Sequence, residues 1–193
     1  MKKLNLIIFI FAIYFLGINP CFAFPEKFVD DSGKTFIIKE IPKQVVSLVP
    51  GLTEIIFKLE AGKSLKGITY HTVFPSENSA IKIVGGFFNP SVNAIAELNP
   101  DVIFISSLHT EVREYFKNKD VKIIELGTSS VPDGIETIML LGKIFNKKEK
   151  ALQIKKELDD QIDLITEKLN FIDLKNRKRV MRLMGRDKVM TPG

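Results

Sequence analysis

Apolar positions along the chain fall in short runs of two kinds, separated by Pro, Gly and Asn. Residues 45–49 (Val-Val-Ser-Leu-Val) are uncharged and β-branched, the composition of a buried strand. Pro50-Gly51 ends that run. Leu52, Ile55, Ile56 and Leu59 then recur at helical spacing, with Gly62 placed to stop the helix. Downstream, the pattern predicts strands over residues 65–69, 102–105 and 121–126, and an earlier short strand over 35–38 after the turn Asp30-Asp31-Ser32-Gly33. Between them it predicts a short helix capped by Ser91, stopped at Asn99-Pro100, and a second helix over 111–118 with Val112, Tyr115 and Phe116 on its apolar face. Asp133 and Glu136 have the spacing of a capping box for the next helix.

After Asn146, Ala151, Ile154, Leu158, Ile162, Ile165 and Leu169 recur every three or four positions, with Lys and Glu between them. The predicted helix over residues 147–171 is about 37 Å long at roughly 1.5 Å per residue. Such a seam also suits a coiled coil. One more strand is predicted over 179–184. The whole reads as an α/β chain: a Rossmann-like lobe with a parallel sheet and helices on both faces, followed by a long connecting helix.

The start of the chain reads differently. Lys2 and Lys3 precede a nearly unbroken apolar run over residues 4–18, closed by Asn19-Pro20, with Cys21 and Ala23 as small residues beyond. This is the layout of a secretory signal with cleavage after Ala23. The alternative, a signal anchor, needs about 20 apolar residues, and the Asn-Pro break comes earlier. Pro20 stands where a lipoprotein signal has a small residue before its Cys, so the chain reads as an untethered exported protein.

Composition removes several classes of function. At 193 residues, with 45% hydrophobic and 26% charged, the chain is neither disordered nor collagen-like. One Cys and two His exclude a disulfide framework and a Cys-based zinc site. The net charge of +5 includes Lys2 and Lys3 of the leader, and the remaining mild excess does not point to nucleic acid. No dinucleotide fingerprint, phosphate-binding loop, nucleophile elbow or zinc-protease motif occurs. Ser107, His109 and Asp133 supply the residue types of a triad, but nothing in the sequence brings them together.

Open α/β sheets bind ligands beyond the carboxyl ends of their strands. That rule selects Pro50-Gly51 and residues 69–74, 106–109 and 127–130. His71 and His109 both fall there. Each is able to donate a hydrogen bond or ligate a metal, and the plainer reading is a solvated loop histidine. Tyr70 offers an amphipathic ring. Phe87-Phe88 follows two glycines, and adjacent aromatics in a loop cannot share one core face, so at least one is expected at the surface.

Three segments carry a family resemblance: Val45-Val46-Ser47-Leu48-Val49-Pro50-Gly51-Leu52-Thr53-Glu54-Ile55, Val84-Gly85-Gly86-Phe87-Phe88-Asn89-Pro90-Ser91, and Leu98-Asn99-Pro100-Asp101-Val102-Ile103. Gly185-Arg186-Asp187 and Thr191-Pro192-Gly193 continue it. Over residues 28–193 the chain resembles periplasmic binding proteins of ABC importers for cobalamin and iron(III) chelates, with the cobalamin-binding branch nearest. The resemblance implies two Rossmann-like lobes joined by one long helix. Residues 1–23 are then the signal peptide, 24–146 the first lobe, 147–171 the connecting helix, and 178–193 the start of a second lobe that is largely missing.

It implies ligand contacts at Pro50, Gly51, Tyr70, His71, Phe87, Ser106 and Ser107, with Phe87 stacking on the ligand. The wording around Tyr70-His71-Thr72 departs from the family pattern, which points to a different ligand. The first-lobe docking carboxylate falls on Asn93, another departure, with Glu97 one turn on as a substitute and Glu54 as a further candidate. The function implied is noncatalytic capture of a metal chelate (a corrinoid first, a ferric siderophore or haem next) for delivery to ABC permease subunits. The protein would act in the periplasm as a monomer, with no resident cofactor or metal and no nucleic acid. The alternatives are an exported Rossmann-like enzyme acting on a nucleotide or phosphate, and a nonfunctional fragment.

Overall fold

The structure is a computed structural model that describes residues 25–72 and 81–178. The expected leader with cleavage after Ala23, the strand expected over 179–184, the motifs at 185–187 and 191–193, and the end of the selected loop at 73–74 lie outside the described residues. The described chain falls into two compact units, divided between Leu152 and Gln153.

The first unit opens with an antiparallel hairpin, β1 (Glu26–Val29) and β2 (Thr35–Ile38). A parallel sheet follows: β3 (Val45–Ser47), β4 (Leu65–Ile68), β5 (Lys82–Ile83), β6 (Val102–Ile105) and β7 (Lys122–Glu125), in the order β5-β4-β3-β6-β7. The connecting helices are α1 (Pro50–Lys58), α2 (Val92–Ala96), α3 (Thr110–Phe116) and α4 (Val131–Ile144). The α/β expectation with a parallel sheet therefore holds.

Strand alternation explains why both sheet faces are covered. Val46, Leu48, Ile103 and Ile105 pack with Ile95 of α2 and with Val112 and Phe116 of α3 in one buried cluster. On β6, Phe104 is fully buried and lies 6.2 Å from the ring of Phe145. Complete burial of such a side chain is worth about 1.5–3 kcal/mol.

The turn from β3 into α1 is fixed from within. Thr53 Oγ1 donates to Ser47 Oγ at 2.8 Å, and Ser47 Oγ donates to Val49 O at 3.3 Å. The hairpin is tied to β7 by its turn: Asp30 Oδ2 accepts from Glu125 N at 3.0 Å and Asp31 Oδ2 from Gly127 N at 2.6 Å.

Several expected boundaries move. Pro50 and Gly51 are not a loop. They form the first turn of α1, where Pro is tolerated because its missing N–H has no helical partner to lose. That helix ends at Lys58, and Glu60, at φ 59°, takes the left-handed position expected at Gly62. The cap of α4 is Ser130, whose Oγ accepts from Asp133 N at 3.3 Å, so Asp133 lies inside the helix rather than at its start. Ser91 caps α2 as expected, accepting from Ala94 N at 3.2 Å. The strands β1 and β5 were not predicted. Both residues of β5 are exposed, so no buried apolar run announces it.

α5 (Lys148–Asn170) is the expected long helix, about 35 Å at roughly 1.5 Å per residue. Its first turn belongs to the first unit. Ala151 is buried there, and the Ala151 methyl stands 2.5 Å from where a Cβ on Gly142 would lie. In the second unit, Lys155 pairs with Asp159 at 2.5 Å. Arg177 closes the helix end, donating from Nη2 to Leu169 O at 3.0 Å. Of the apolar seam read from sequence, Ala151 is buried, Ile154, Leu158 and Ile162 are half-buried, and Ile165 and Leu169 are exposed. Among the described residues no helix is long and apolar enough to cross a membrane.

Candidate ligand-binding site

The chain runs from β3 outward through β4 to β5, then returns to place β6 on the other side of β3. The strand order reverses there, and the crevice beyond the carboxyl ends of β3 and β6 is where sheets of this kind hold ligands. The loops selected from sequence all leave the sheet at that end.

Two of these loops are joined by hydrogen bonds through one residue of a further loop, Phe87. Its N–H donates to His71 Nδ1 at 3.1 Å, and its carbonyl lies 2.7 Å from His109 Nε2. Ser106 N donates to His109 Nδ1 at 3.0 Å. A backbone N–H is always a donor, so each Nδ1 is the unprotonated nitrogen and each Nε2 carries the proton. His109 Nε2–H therefore donates to Phe87 O. His109 is 4% exposed, which corrects its reading as a solvated loop residue. Burial holds its pKa below the ordinary 6.5, against the opposing pull of its bond to the Phe87 carbonyl and with a smaller lowering from Arg113.

The loop after β5 owes its shape to two glycines. Gly85 has φ +112°, and a Cβ there would lie 2.8 Å from Asn89 O. A Cβ on Gly86 would lie 2.5 Å from the Tyr70 hydroxyl, so that glycine lets the tyrosine ring lie against the loop backbone. Tyr70 N also donates to Gly85 O at 3.1 Å. The rings follow the same path: Tyr70 to His71 at 4.4 Å, Phe87 to His109 at 5.0 Å, and Phe87 to Phe88 at 4.9 Å.

Of the expected contact residues, Tyr70, His71, Phe87 and Ser106 are thus brought into one connected group. Pro50 and Gly51 stand half-buried at the start of α1 on the same rim. Ser107 is exposed beside Ser106. Phe87 is half-buried, whereas Phe88 is 79% exposed, so the ring most open to a flat ligand is Phe88. Tyr70 and Leu108 are exposed as well. Sequence reasoning expected one ring of Phe87-Phe88 at the surface but gave the stacking role to Phe87, and it passed over Leu108 and the buried state of His109. The Gly-Gly-Phe-Phe run was the available signal for Phe88.

The described loop residues 48–49, 69–72, 84–91, 106–109 and 126–130 contain no Lys, Arg, Asp or Glu. His109, with both nitrogens engaged, is not free to serve as a base for Ser107, so the paper triad with Asp133 does not assemble. Among the described residues no group of three or more His, Cys, Asp or Glu is placed to hold a metal ion. A separate cavity of about 560 Å³ opens off the rim beside α4, lined by Val29, Asp31, Gly127, Asp133, Glu136 and Thr137. It shares only the loop after β7 with the predicted residues.

The expected docking positions lie on and just beyond α2. Asn93 is exposed, and Glu97 pairs with Lys82 of β5 at 2.5 Å. The hydrogen bond from Lys82, and then its charge, holds the Glu97 carboxyl below the usual carboxylate range.

The described rim loops of this doubly wound lobe are thus aromatic and free of Lys, Arg, Asp and Glu at the strand-order reversal. Residues 45–192 match the periplasmic binding protein family, and the chain belongs to it. It is similar to an uncharacterized ABC transporter substrate-binding lipoprotein, YvrC, of Bacillus subtilis, at 29% identity over 81% of this chain and 51% of that one. It is also similar to the high-affinity heme uptake system protein IsdE of Staphylococcus aureus, at 27% identity over 74% of this chain and 48% of that one. Among solved structures, the petrobactin-binding protein YclQ of Bacillus subtilis shares the fold with a TM-score of 0.71 at 23% identity, covering 88% of this chain and 61% of that one. An ABC transporter substrate-binding protein of Listeria monocytogenes aligns with a TM-score of 0.64 at 25% identity, covering 79% of this chain and 58% of that one. The chain spans about half the length of the curated relatives it matches.

Proposed function

We propose that this chain provides the sheet-bearing lobe of an exported solute-binding protein that captures a metal chelate and passes it to the membrane subunits of an ABC importer. The observation that carries this reading is the rim: exposed Tyr70 and Phe88 beside a loop braced from both sides, with no Lys, Arg, Asp or Glu in the described loops. Such a surface favours a bulky ligand with a flat apolar face. A corrinoid, a haem and an apolar face of a ferric siderophore all meet that description, and the relatives named for haem and petrobactin support the chelate class. Tyr70, Phe87 and Phe88 would supply stacking surface, Ser106 and Ser107 small polar contacts, and Pro50 and Gly51 a backbone edge. The protein would act outside the cytoplasmic membrane as a monomer, without catalysis and without nucleic acid. Permease docking would use the α2 region, where an incoming arginine must compete with Lys82 for Glu97.

Titration of the chain with cobalamin, haemin and a ferric siderophore, followed by visible absorbance, tests the proposal. A saturable spectral shift with at least one of them is expected. No saturable change with any of the three would contradict it.

A further inference from the structure

The two histidines are the obvious candidates for bonding to the metal of a captured chelate, but the geometry gives them another task. Coordination needs an imidazole nitrogen with a free lone pair. In His71 that lone pair is on Nδ1 and already accepts from Phe87 N at 3.1 Å. In His109 it is on Nδ1 and accepts from Ser106 N at 3.0 Å, while Nε2–H is committed to Phe87 O at 2.7 Å. For either ring to ligate through Nε2, its proton must move to Nδ1 or leave, and a proton on Nδ1 would face an N–H donor.

We propose that His71 and His109 are positioning residues that grip the two sides of the Phe87 peptide, and that neither bonds to the metal. This rests on the chelate-capture reading and adds to it the mode of capture: the chelate is recognised through its periphery, with no bond from either histidine to its metal. His71 contributes an acceptor to the Phe87 N–H, and His109 contributes a donor to its carbonyl. Between them they set the loop on which Phe88 is presented. The exposed side of His71 offers an N–H donor, suited to a peripheral carbonyl or carboxylate of the ligand.

Two measurements test this. In the free protein, long-range proton–nitrogen NMR spectra should show both rings as Nε2–H tautomers with an unprotonated Nδ1, and an Nδ1–H tautomer at either ring would overturn the assignment. This result does not depend on any ligand binding. The second compares haemin with metal-free protoporphyrin, which has the same periphery and no iron. The two should bind with affinities equal within about twofold, and haemin should not acquire the low-spin spectrum of imidazole ligation. H71A should weaken both equally, by about three- to tenfold, the size of one lost hydrogen bond. H71N should recover most of that loss, because the asparagine oxygen sits where Nδ1 was, although it has no ring nitrogen to offer a metal. Haemin binding at least about tenfold tighter than the free base, with a low-spin spectrum lost in both H71A and H71N, would overturn the proposal. If neither porphyrin binds, chelate capture fails for this ligand pair, and the tautomer spectra still decide the role of the two rings.

Discussion

At the amino end of the sheet, Asp101 Oδ2 accepts from Lys43 N at 2.7 Å and Gln44 N at 3.1 Å, and its carbonyl accepts from Lys122 N at 3.0 Å. At the carboxyl end, two imidazoles brace the Phe87 peptide and leave Tyr70, Phe88 and Leu108 open to solvent. Both ends are held by side chain to backbone bonds, but to different effect. The first closes the entry to β3 around a charged residue. The second uses neutral rings to fix a loop while keeping apolar surface exposed, at a cost in solvation that makes sense if a ligand covers it. In the proposed function the amino end serves stability and the carboxyl end serves binding.

That contrast can be broken or sharpened by substitution. Phe104→Ala should abolish the distinction by weakening both ends together. The ring is fully buried at the middle of the sheet, and its loss should cost about 3–5 kcal/mol in urea denaturation. Asp101→Ala should cost about 1.5–3 kcal/mol by leaving two N–H groups without their charged acceptor. Its effect should stay local, with the amide shifts of Tyr70 and Phe87 unmoved.

A smaller and pH-dependent effect is expected from His109. Its folded pKa lies below 6.5, so the unfolded chain takes up the proton first as pH falls. Its contribution to stability is complete above about pH 6.5 and is lost as pH drops from there toward the lower folded value. The urea midpoint should therefore be lower at about pH 5.5 than at about pH 7.5. His109→Gln, which keeps a donor and an acceptor but cannot titrate, should flatten that difference. Tyr70→Ala and Phe88→Ala should change stability least, within about 0.5 kcal/mol, because both rings are exposed. Their effect should instead be read as weaker chelate binding.

Much of this architecture was legible because it is written in local patterns. The apolar runs at 45–49 and 102–105 became the central strands β3 and β6, and Leu48 N extends the ladder by donating to Phe104 O at 3.0 Å. Ser91 was readable as a cap because the cap bond spans three residues. What failed to show were features decided by distant partners. β5 is two exposed residues placed by pairing with β4 and by the Lys82–Glu97 ion pair. The end of α1 depended on Glu60 adopting a left-handed backbone, which its residue type does not advertise. The rim was located by a rule about strand ends, but the burial of His109 depends on Phe87, a residue 22 positions away. A spacing of three to Ser106 gave no hint of it.

The most direct test of the central claim is to map ligand-induced amide shifts in the folded chain. With the chelate that gives a saturable absorbance change, the account predicts that shifts concentrate at Gly51, Tyr70, Phe87, Phe88 and Ser107 and leave Lys43, Gln44 and Asp101 unchanged. Shifts centred on the amino end of the sheet, or on the acidic cavity beside α4, with the rim silent, would contradict it.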